Sequence, residues 1–212
     1  MIDLLHPNHA GIVGHKLEDR ILYPATGYIY LAWAHYAENL GQRPETTPVV
    51  LNNVDLKRAT ILDESEPATL VFKIQDGTGN FEFCYDGQVA VTGTVGCLPE
   101  NTTHAVTESP REDSTWIPLN TRDIYKELRL RGYNYSGEFQ GIRRIDNEGK
   151  WAELAWTGNW ISFLDTMLQP TLLSNTSRNM AVPLTFESIS IDPVAFMRSL
   201  QEPAPGSERK YQ

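Results

Sequence analysis

The stretch from Tyr28 to Leu40 constrains this chain more than any other. Pro24 stands just before it and Gly41 just after, the pairing that suits the first turn of an α-helix and the residue past its end. Between them Tyr28, Ile29, Tyr30, Leu31, Ala32, Trp33, Ala34, Tyr36 and Ala37 cover nearly the whole helical circumference. A helix that is apolar all round has no face to offer water, so the rest of the chain must enclose it. The apolar run Ala25 to Ala37 carries Thr26, Gly27 and His35 and is too short and too polar to cross a bilayer.

The segments that follow read as antiparallel strands. Val49 to Leu62 is rich in β-branched residues and Ala68 to Ile74 alternates. Phe81 to Tyr85 follows the turn Gly77-Thr78-Gly79, which lacks the third glycine of a nucleotide loop. Asp86-Gly87 marks a hairpin, and Val89, Val91 and Val95 share one side of the next strand, with Gly93 weakening its middle.

Residues 99–115 hold one large aliphatic side chain, Val106, and read as a linker. A second cycle follows. Thr121 to Arg131 predicts a short helix with Asn120 or Thr121 as cap, Ile124 and Leu128 on one face, and Gly132 as the stop. Phe139 to Ile145 and Lys150 to Trp156 predict a hairpin about Asp146-Asn147-Glu148-Gly149; Trp160 to Thr176 predicts a second largely apolar helix and Ala181 to Ile191 a strand. The tail from Gln201 is polar and carries two prolines, a composition of disorder. The expected class is α+β, with units 1–98 and 116–212 around a linker, each a buried helix with a wrapping sheet.

Acidic residues outnumber basic ones, 27 to 18, for a net charge of −9, the opposite of what coating a nucleic acid requires. Cys84 and Cys97 form no CxxC pair and no metal spacing, which fits a reducing compartment. No basic stretch followed by an apolar run opens the sequence, so no secretory leader is expected, and Asn101, Asn134 and Asn175 in glycosylation patterns are chance matches. A cytoplasmic domain with no membrane partner, no metal and no cofactor is the expectation. His35 reads as a core histidine, His6, His9 and His104 as loop residues, and Trp33, Trp116, Trp151, Trp156 and Trp160 as core or channel walls.

Two ionisable residues adjoin the two apolar helices. His15 lies in the approach to the first, and Asp165 lies among Phe163, Leu164, Met167 and Leu168 in the second. A carboxyl among such neighbours is paired, exposed or held protonated. The bland reading makes Asp165 a charge favoured near a helix N-terminus. The functional reading makes the imidazole and the carboxyl a base and acid pair.

The same residues resemble the dehydratase domains of animal fatty acid synthases and their polyketide synthase relatives. His15 and Pro24 match the first family motif, His-x3-Gly-x4-Pro, with Asp19 in place of its glycine. Asp165 to Gln169 matches the second, Asp-x3-Gln/His, including its approach Asn159 to Phe163. Gly132 to Tyr135 and Phe139-Gln140-Gly141 resemble the block Gly-Tyr-x-Tyr-Gly-Pro-x-Phe-Gln-Gly, with Ser136-Gly137 replacing its Gly-Pro. Val49 to Leu62 and Pro183 to Pro193 add to the likeness, which runs from residue 1 to about 198.

That resemblance implies a double hotdog, two apolar helices each wrapped by a curved antiparallel sheet. It implies dehydration of a 3-hydroxyacyl thioester, delivered on the phosphopantetheine arm of an acyl carrier protein, to the trans-2-enoyl thioester. His15 is then the base for a C2 proton and Asp165 the acid for the departing hydroxyl. Gln169 orients the carboxyl, the helix start at Pro24 to Gly27 faces the thioester oxygen, and Tyr133, Tyr135 and Phe139 line or close the channel. A water-poor tunnel is expected to lower the histidine pKa and raise that of the aspartate. Other domains of a synthase chain are implied partners, and Arg129, Arg131, Arg143 and Arg144 are a candidate docking patch for the carrier. The alternatives are an impaired acyl-binding or scaffolding hotdog module and a hotdog thioesterase.

Three departures carry consequences. Asp19 pointing inward would raise the pKa of His15; pointing outward it costs only a backbone conformation that glycine takes more easily. Pro170 removes one helical hydrogen bond, with less damage if the helix begins near Asp165. Ser136-Gly137 is expected to loosen its loop. Only residues 177–212 follow the second helix, so its sheet is expected to lack its last strands.

Overall fold

Pro24 closes a short hairpin, β1 (Lys16–Leu17) and β2 (Arg20–Leu22), and caps helix α1 (Ala25–Asn39). In this computed structural model, residues 1–75, 77–100, 102, 117–146, 149, 151–175 and 179–201 are described. Glu18 and Asp19 make the hairpin turn with φ of 46° and 64°, both left-handed. Gly41 follows α1 at φ 68°, where a residue without Cβ ends a helix at no steric cost.

As its sequence demands, α1 is buried along most of its length, with Ala32, Trp33 and Ala37 fully inside. It is enclosed by β3 (Val49–Leu56), β5 (Leu70–Ile74), β6 (Asn80–Tyr85) and β7 (Gln88–Cys97); β4 (Ile61–Leu62) instead extends the β1–β2 hairpin. Trp33 donates its indole N–H to the Thr47 carbonyl at 2.8 Å, so its one polar atom is satisfied in the core. The sheet bends where its ladders slip. Asn53 takes φ 49° at a shift between β3 and β7, and another lies between Phe83 and Cys84. Gly93 has a reason beyond weak strand propensity: a Cβ there would lie 2.8 Å from the Phe81 ring. His35 is not a core residue; its ring stacks on Phe72 at 4.6 Å and faces Glu38 with nearly half its side chain exposed.

In the second half, β8 (Pro118–Asn120), β9 (Ile142–Asp146) and β10 (Ala152–Leu154) form a three-stranded sheet. Helix α2 (Thr121–Leu130) is capped by Asn120, whose side chain accepts the Asp123 N–H. Phe139, expected in a strand, sits in a 3₁₀ turn (Gly137–Phe139). Helix α3 (Trp160–Ser174) follows the Asn159 cap and begins five residues before Asp165, so Pro170 falls well inside it rather than in its early turns. The helix continues past the proline, at the cost of one backbone bond.

The strand after α3 crosses to the first half of the chain. It is β11 (Thr185–Ile191), shorter than the Ala181 to Ile191 segment, and it pairs with β3 of the first half from Thr185↔Asp55 to Ile191↔Val49. The large sheet therefore runs β11-β3-β7-β6-β5 and draws one of its strands from the second half. Helices α1 and α3 pack together, and the strand following each lies beside its counterpart. Helix α4 (Pro193–Gln201) forms where the sequence analysis saw no element. Asp192 caps it by accepting the Ala195 N–H, and Phe196 joins Trp156, Trp160 and Phe163. Trp116, His104, most of the linker 99–115 and the tail from residue 202 lie outside the described residues.

Candidate active site

His15 and Asp165, 150 positions apart in sequence, meet with Nε2 and Oδ1 at 3.5 Å. Both are buried, His15 at 7% exposure and Asp165 at 6%. His15 follows a 3₁₀ turn (Ala10–Gly14), and its Nδ1 lies 2.8 Å from the Leu22 carbonyl across the β1–β2 hairpin. A carbonyl can only accept, so Nδ1 carries the hydrogen and Nε2, facing Asp165, holds the lone pair when the ring is neutral.

Asp165 is fixed from the other side. Its Oδ2 accepts from Gln169 Nε2 at 3.0 Å, one helical turn on. The same nitrogen donates to the Phe139 carbonyl at 3.0 Å, while Gln169 Oε1 accepts the Tyr125 hydroxyl at 2.8 Å. Tyr125 in turn accepts the Ile142 N–H at 3.0 Å, so its own proton must point at Gln169. The orientation of the amide follows without ambiguity from this chain of donors. Tyr125 was not singled out in the sequence; it lies beside Ile124 and Leu128 on the inward face of α2, and its hydroxyl was the available signal.

The block Gly132 to Ser136 lies against the histidine strand. The Gly14 carbonyl accepts from Ser136 N–H at 2.9 Å, Lys16 from Asn134 at 2.8 Å, and Glu18 N–H donates to Gly132 at 2.8 Å. Ser136-Gly137 thus sits in an anchored loop, not a loosened one. This contact requires Gly14: a Cβ would stand 2.3 Å from the Ser136 carbonyl oxygen. Asp19 points outward, where its carboxylate accepts from Asn134 Nδ2 at 2.6 Å.

The other expected site residues divide. Tyr135 sets its ring 5.5 Å from that of His15, and its buried hydroxyl has no hydrogen-bond partner among the described residues. Burial pushes that phenol well above its ordinary pKa, so it remains a donor. Phe139 backs the His15 ring at 5.2 Å rather than lining the cavity. Tyr133 holds the segment over the cavity, its hydroxyl donating to the Ala181 carbonyl at 2.7 Å and accepting the Ala181 N–H at 2.6 Å. Pro24 caps α1 and Gly27 packs under Tyr23, whose ring a Cβ would meet at 2.7 Å. The Gly27 N–H is bonded to Pro24, which leaves the Ala25 and Thr26 amides as the open donors of the helix start.

His15, Asp165, Gln169, Tyr133 and Tyr135 line a cavity of about 460 Å³, walled mainly by apolar side chains such as Leu17, Leu22, Tyr28, Leu168 and Phe186. For His15, burial acts to lower the pKa, but the charge and hydrogen bond of Asp165 and the bond to Leu22 outweigh it. The result is a rise above 6.5, opposite to the direction expected of a dry tunnel alone. The two groups can share one proton. Imidazolium with carboxylate and imidazole with carboxylic acid are the same charge state, differing only in where that proton sits.

This arrangement was compared with known proteins. No family model matches the chain. Among curated proteins, equisetin synthetase of Fusarium heterosporum is 25% identical over 224 residues, covering 90% of this chain and 6% of that one. Polyketide synthase 19 of Gibberella fujikuroi is 20% identical, covering 82% and 8%. The chain thus spans under a tenth of the length of these relatives. Among solved structures, the dehydratase domain from the CurF module of curacin polyketide synthase superposes with TM-score 0.72 at 21% identity, over 90% of this chain and 76% of that one. This chain has the polyketide synthase dehydratase fold. The dehydratase domain of PpsC from Mycobacterium tuberculosis gives 0.66 at 20% identity, covering 87% and 72%. The likeness is to polyketide synthase domains, broader than the animal fatty acid synthase likeness carried by the motifs.

The candidate docking arginines fare unevenly. Arg131 is taken up: it pairs with Glu127 at 2.9 Å and donates to the Leu172 and Asn175 carbonyls, closing the end of α3. Arg129, Arg143 and Arg144 are exposed.

Proposed function

We propose that this dehydratase-fold chain, with its two half-units read as a double hotdog, eliminates water from 3-hydroxyacyl thioesters to give trans-2-enoyl thioesters, within an assembly line of the polyketide or fatty acid type. The observation that carries the reading is the buried His15–Asp165 pair at the floor of an apolar cavity, each member oriented by its own hydrogen bond. The gap of 3.5 Å is longer than a good N–H···O bond, so neither group is locked to the other.

Substrate between the two groups separates the charges in an apolar site and favours the neutral forms. His15 Nε2 then takes the C2 proton, the electron pair of that bond forms the C2–C3 double bond, and the C3–O bond breaks. The hydroxyl departs as water with the proton of Asp165. His15 is left protonated and Asp165 ionised, the same charge state as before, so one proton shift resets the pair. The open amide of Ala25, a residue that lines the cavity, is the donor we assign to steady the thioester oxygen as it gains charge. Support also comes from the CurK dehydratase, whose His-to-Phe and Asp-to-Asn mutants are described as inactive.

The test is turnover of a 3-hydroxybutyryl thioester, followed by the absorbance of the conjugated product. Each of His15→Ala and Asp165→Asn is expected to lower the rate by about 10²–10⁴-fold, the range for lost acid or base catalysis. Unchanged rates in both variants overturn the mechanism, and an inert wild-type protein that still binds the thioester favours the scaffolding reading.

A further inference from the structure

The mouth of the cavity carries two cations that the chemistry at its floor does not use. Lys57 and Arg58 follow β3 and are exposed, and both N–H groups donate to the Ala90 carbonyl, at 2.8 and 3.3 Å. That shared acceptor pins the turn to β7 and presents both side chains at one place. Two residues on, Thr60 descends into the wall: its carbonyl accepts the Tyr23 N–H at 2.8 Å and its hydroxyl meets the Tyr28 hydroxyl at 2.5 Å. Across the mouth, the Leu56 N–H donates to the Leu184 carbonyl at 2.8 Å, joining the turn to the segment held by Tyr133.

The two side chains are free to take a ligand. Arg58 gives one nitrogen to Gln88 Oε1 at 2.8 Å, which fixes the guanidinium and leaves its other donors without a protein partner among the described residues. The Lys57 ammonium makes no hydrogen bond or ion pair among those residues, with Glu82 acting on it only at longer range. Among the described residues, Lys57, Arg58, His15 and Asp165 are the charged ones lining the cavity, and the one carboxylate of that set is buried against His15. In a chain of net charge −9, that is a local cationic rim above an apolar, thioester-sized cavity.

We infer that Lys57 and Arg58 are the subsite for the organic phosphate at the carrier end of the thioester substrate, the phosphodiester of a phosphopantetheine arm. The inference rests on the dehydratase reading for the rest of the substrate. Guanidinium and ammonium suit this ligand: the first presents a planar fork to phosphate oxygens, the second a point charge on a flexible stem. The arm, with its two amides and its methyl groups, would run down the cavity from the rim to His15. Recognition would then fall on the part of the substrate that all acyl groups share.

Binding of pantetheine and 4′-phosphopantetheine, measured by calorimetry, tests the subsite without requiring turnover. The phosphate is expected to strengthen binding roughly tenfold at low salt, less at high salt, and the double variant Lys57→Gln/Arg58→Gln to remove the difference. In turnover, the same variant should raise KM for the phosphate-bearing thioester, leave kcat unchanged, and leave an uncharged N-acetylcysteamine thioester unaffected. No binding of either ligand, equal affinities, or a preference that survives the double variant overturns the subsite. Coenzyme A separates the sources. Affinity equal to that of 4′-phosphopantetheine supports the arm phosphate, and a tenfold excess lost in the variant overturns it in favour of nucleotide phosphates. A wild-type protein that prefers the phosphate yet turns nothing over strikes the dehydratase reading and leaves the subsite standing.

Discussion

Replacing Gln169 by Leu puts the hydrogen-bond chain behind Asp165 to a direct test. Gln169 is 1% exposed, and its amide joins three parts of the fold: Tyr125 on α2, Asp165 on α3 and the Phe139 carbonyl of the 3₁₀ turn. Leucine fills a similar volume but offers neither donor nor acceptor. The Tyr125 proton, the Phe139 carbonyl and one Asp165 oxygen then lose their partner. Each such loss costs about 1–2 kcal/mol, and the added apolar burial returns a part, so the expected destabilisation is about 2–5 kcal/mol. Urea denaturation read by tryptophan fluorescence measures it as a lower midpoint at unchanged slope. Gln169→Glu is the control. It still accepts from Tyr125 but sets a second carboxylate beside Asp165, so one of the two must hold a proton. That variant should be milder than Leu at pH 5 and approach it at pH 8. A loss under about 1 kcal/mol for Gln169→Leu, or no pH dependence in Gln169→Glu, would refute the view that this amide holds the site together.

Two further outcomes follow from the geometry. Followed by NMR, His15 should titrate above 6.5 in the wild-type protein and at a lower pH in Asp165→Asn, because burial, which opposes the charge, remains when the charge is gone. A folded pKa above the unfolded value stabilises the protein fully below about pH 6.5, and the gain disappears as pH rises through the folded value; Asp165→Asn should weaken that dependence, and identical titrations would dismiss the coupling. Gly14→Ala places a Cβ 2.3 Å from the Ser136 carbonyl oxygen, so the two segments must part. A loss of about 2–3 kcal/mol is expected on thermal unfolding, together with a fall in turnover as His15 shifts; a fully stable and active variant would show that the contact is not needed.

The site was legible in the sequence where motifs are local. His15, Asp165 and Gln169 were nominated from short spacings, and the structure brings all three together. Tyr125 was passed over because periodicity marks a buried face without saying what a hydroxyl on it will meet. The direction of the His15 shift was misjudged because burial was weighed without its partner's charge 3.5 Å away. Arg131 was assigned to docking from charge alone, whereas it closes the end of α3.

By itself the sequence determined that an all-apolar helix must be enclosed, since no arrangement in water leaves it a solvent face. It also determined the hairpins at Glu18-Asp19 and Asp86-Gly87, where both residues of each turn adopt the left-handed backbone, although only the second was read from the sequence. Local rules of this kind act over a few residues, so they survive any fold. Only the tertiary structure decided that β11 would pair with β3 and not close a sheet of its own around α3. A strand presents the same backbone donors and acceptors to every possible neighbour, so pairing depends on which edge the packed helices bring within reach. The same packing of α1 against α3 brings the histidine of one half to the aspartate of the other and leaves a cavity between them.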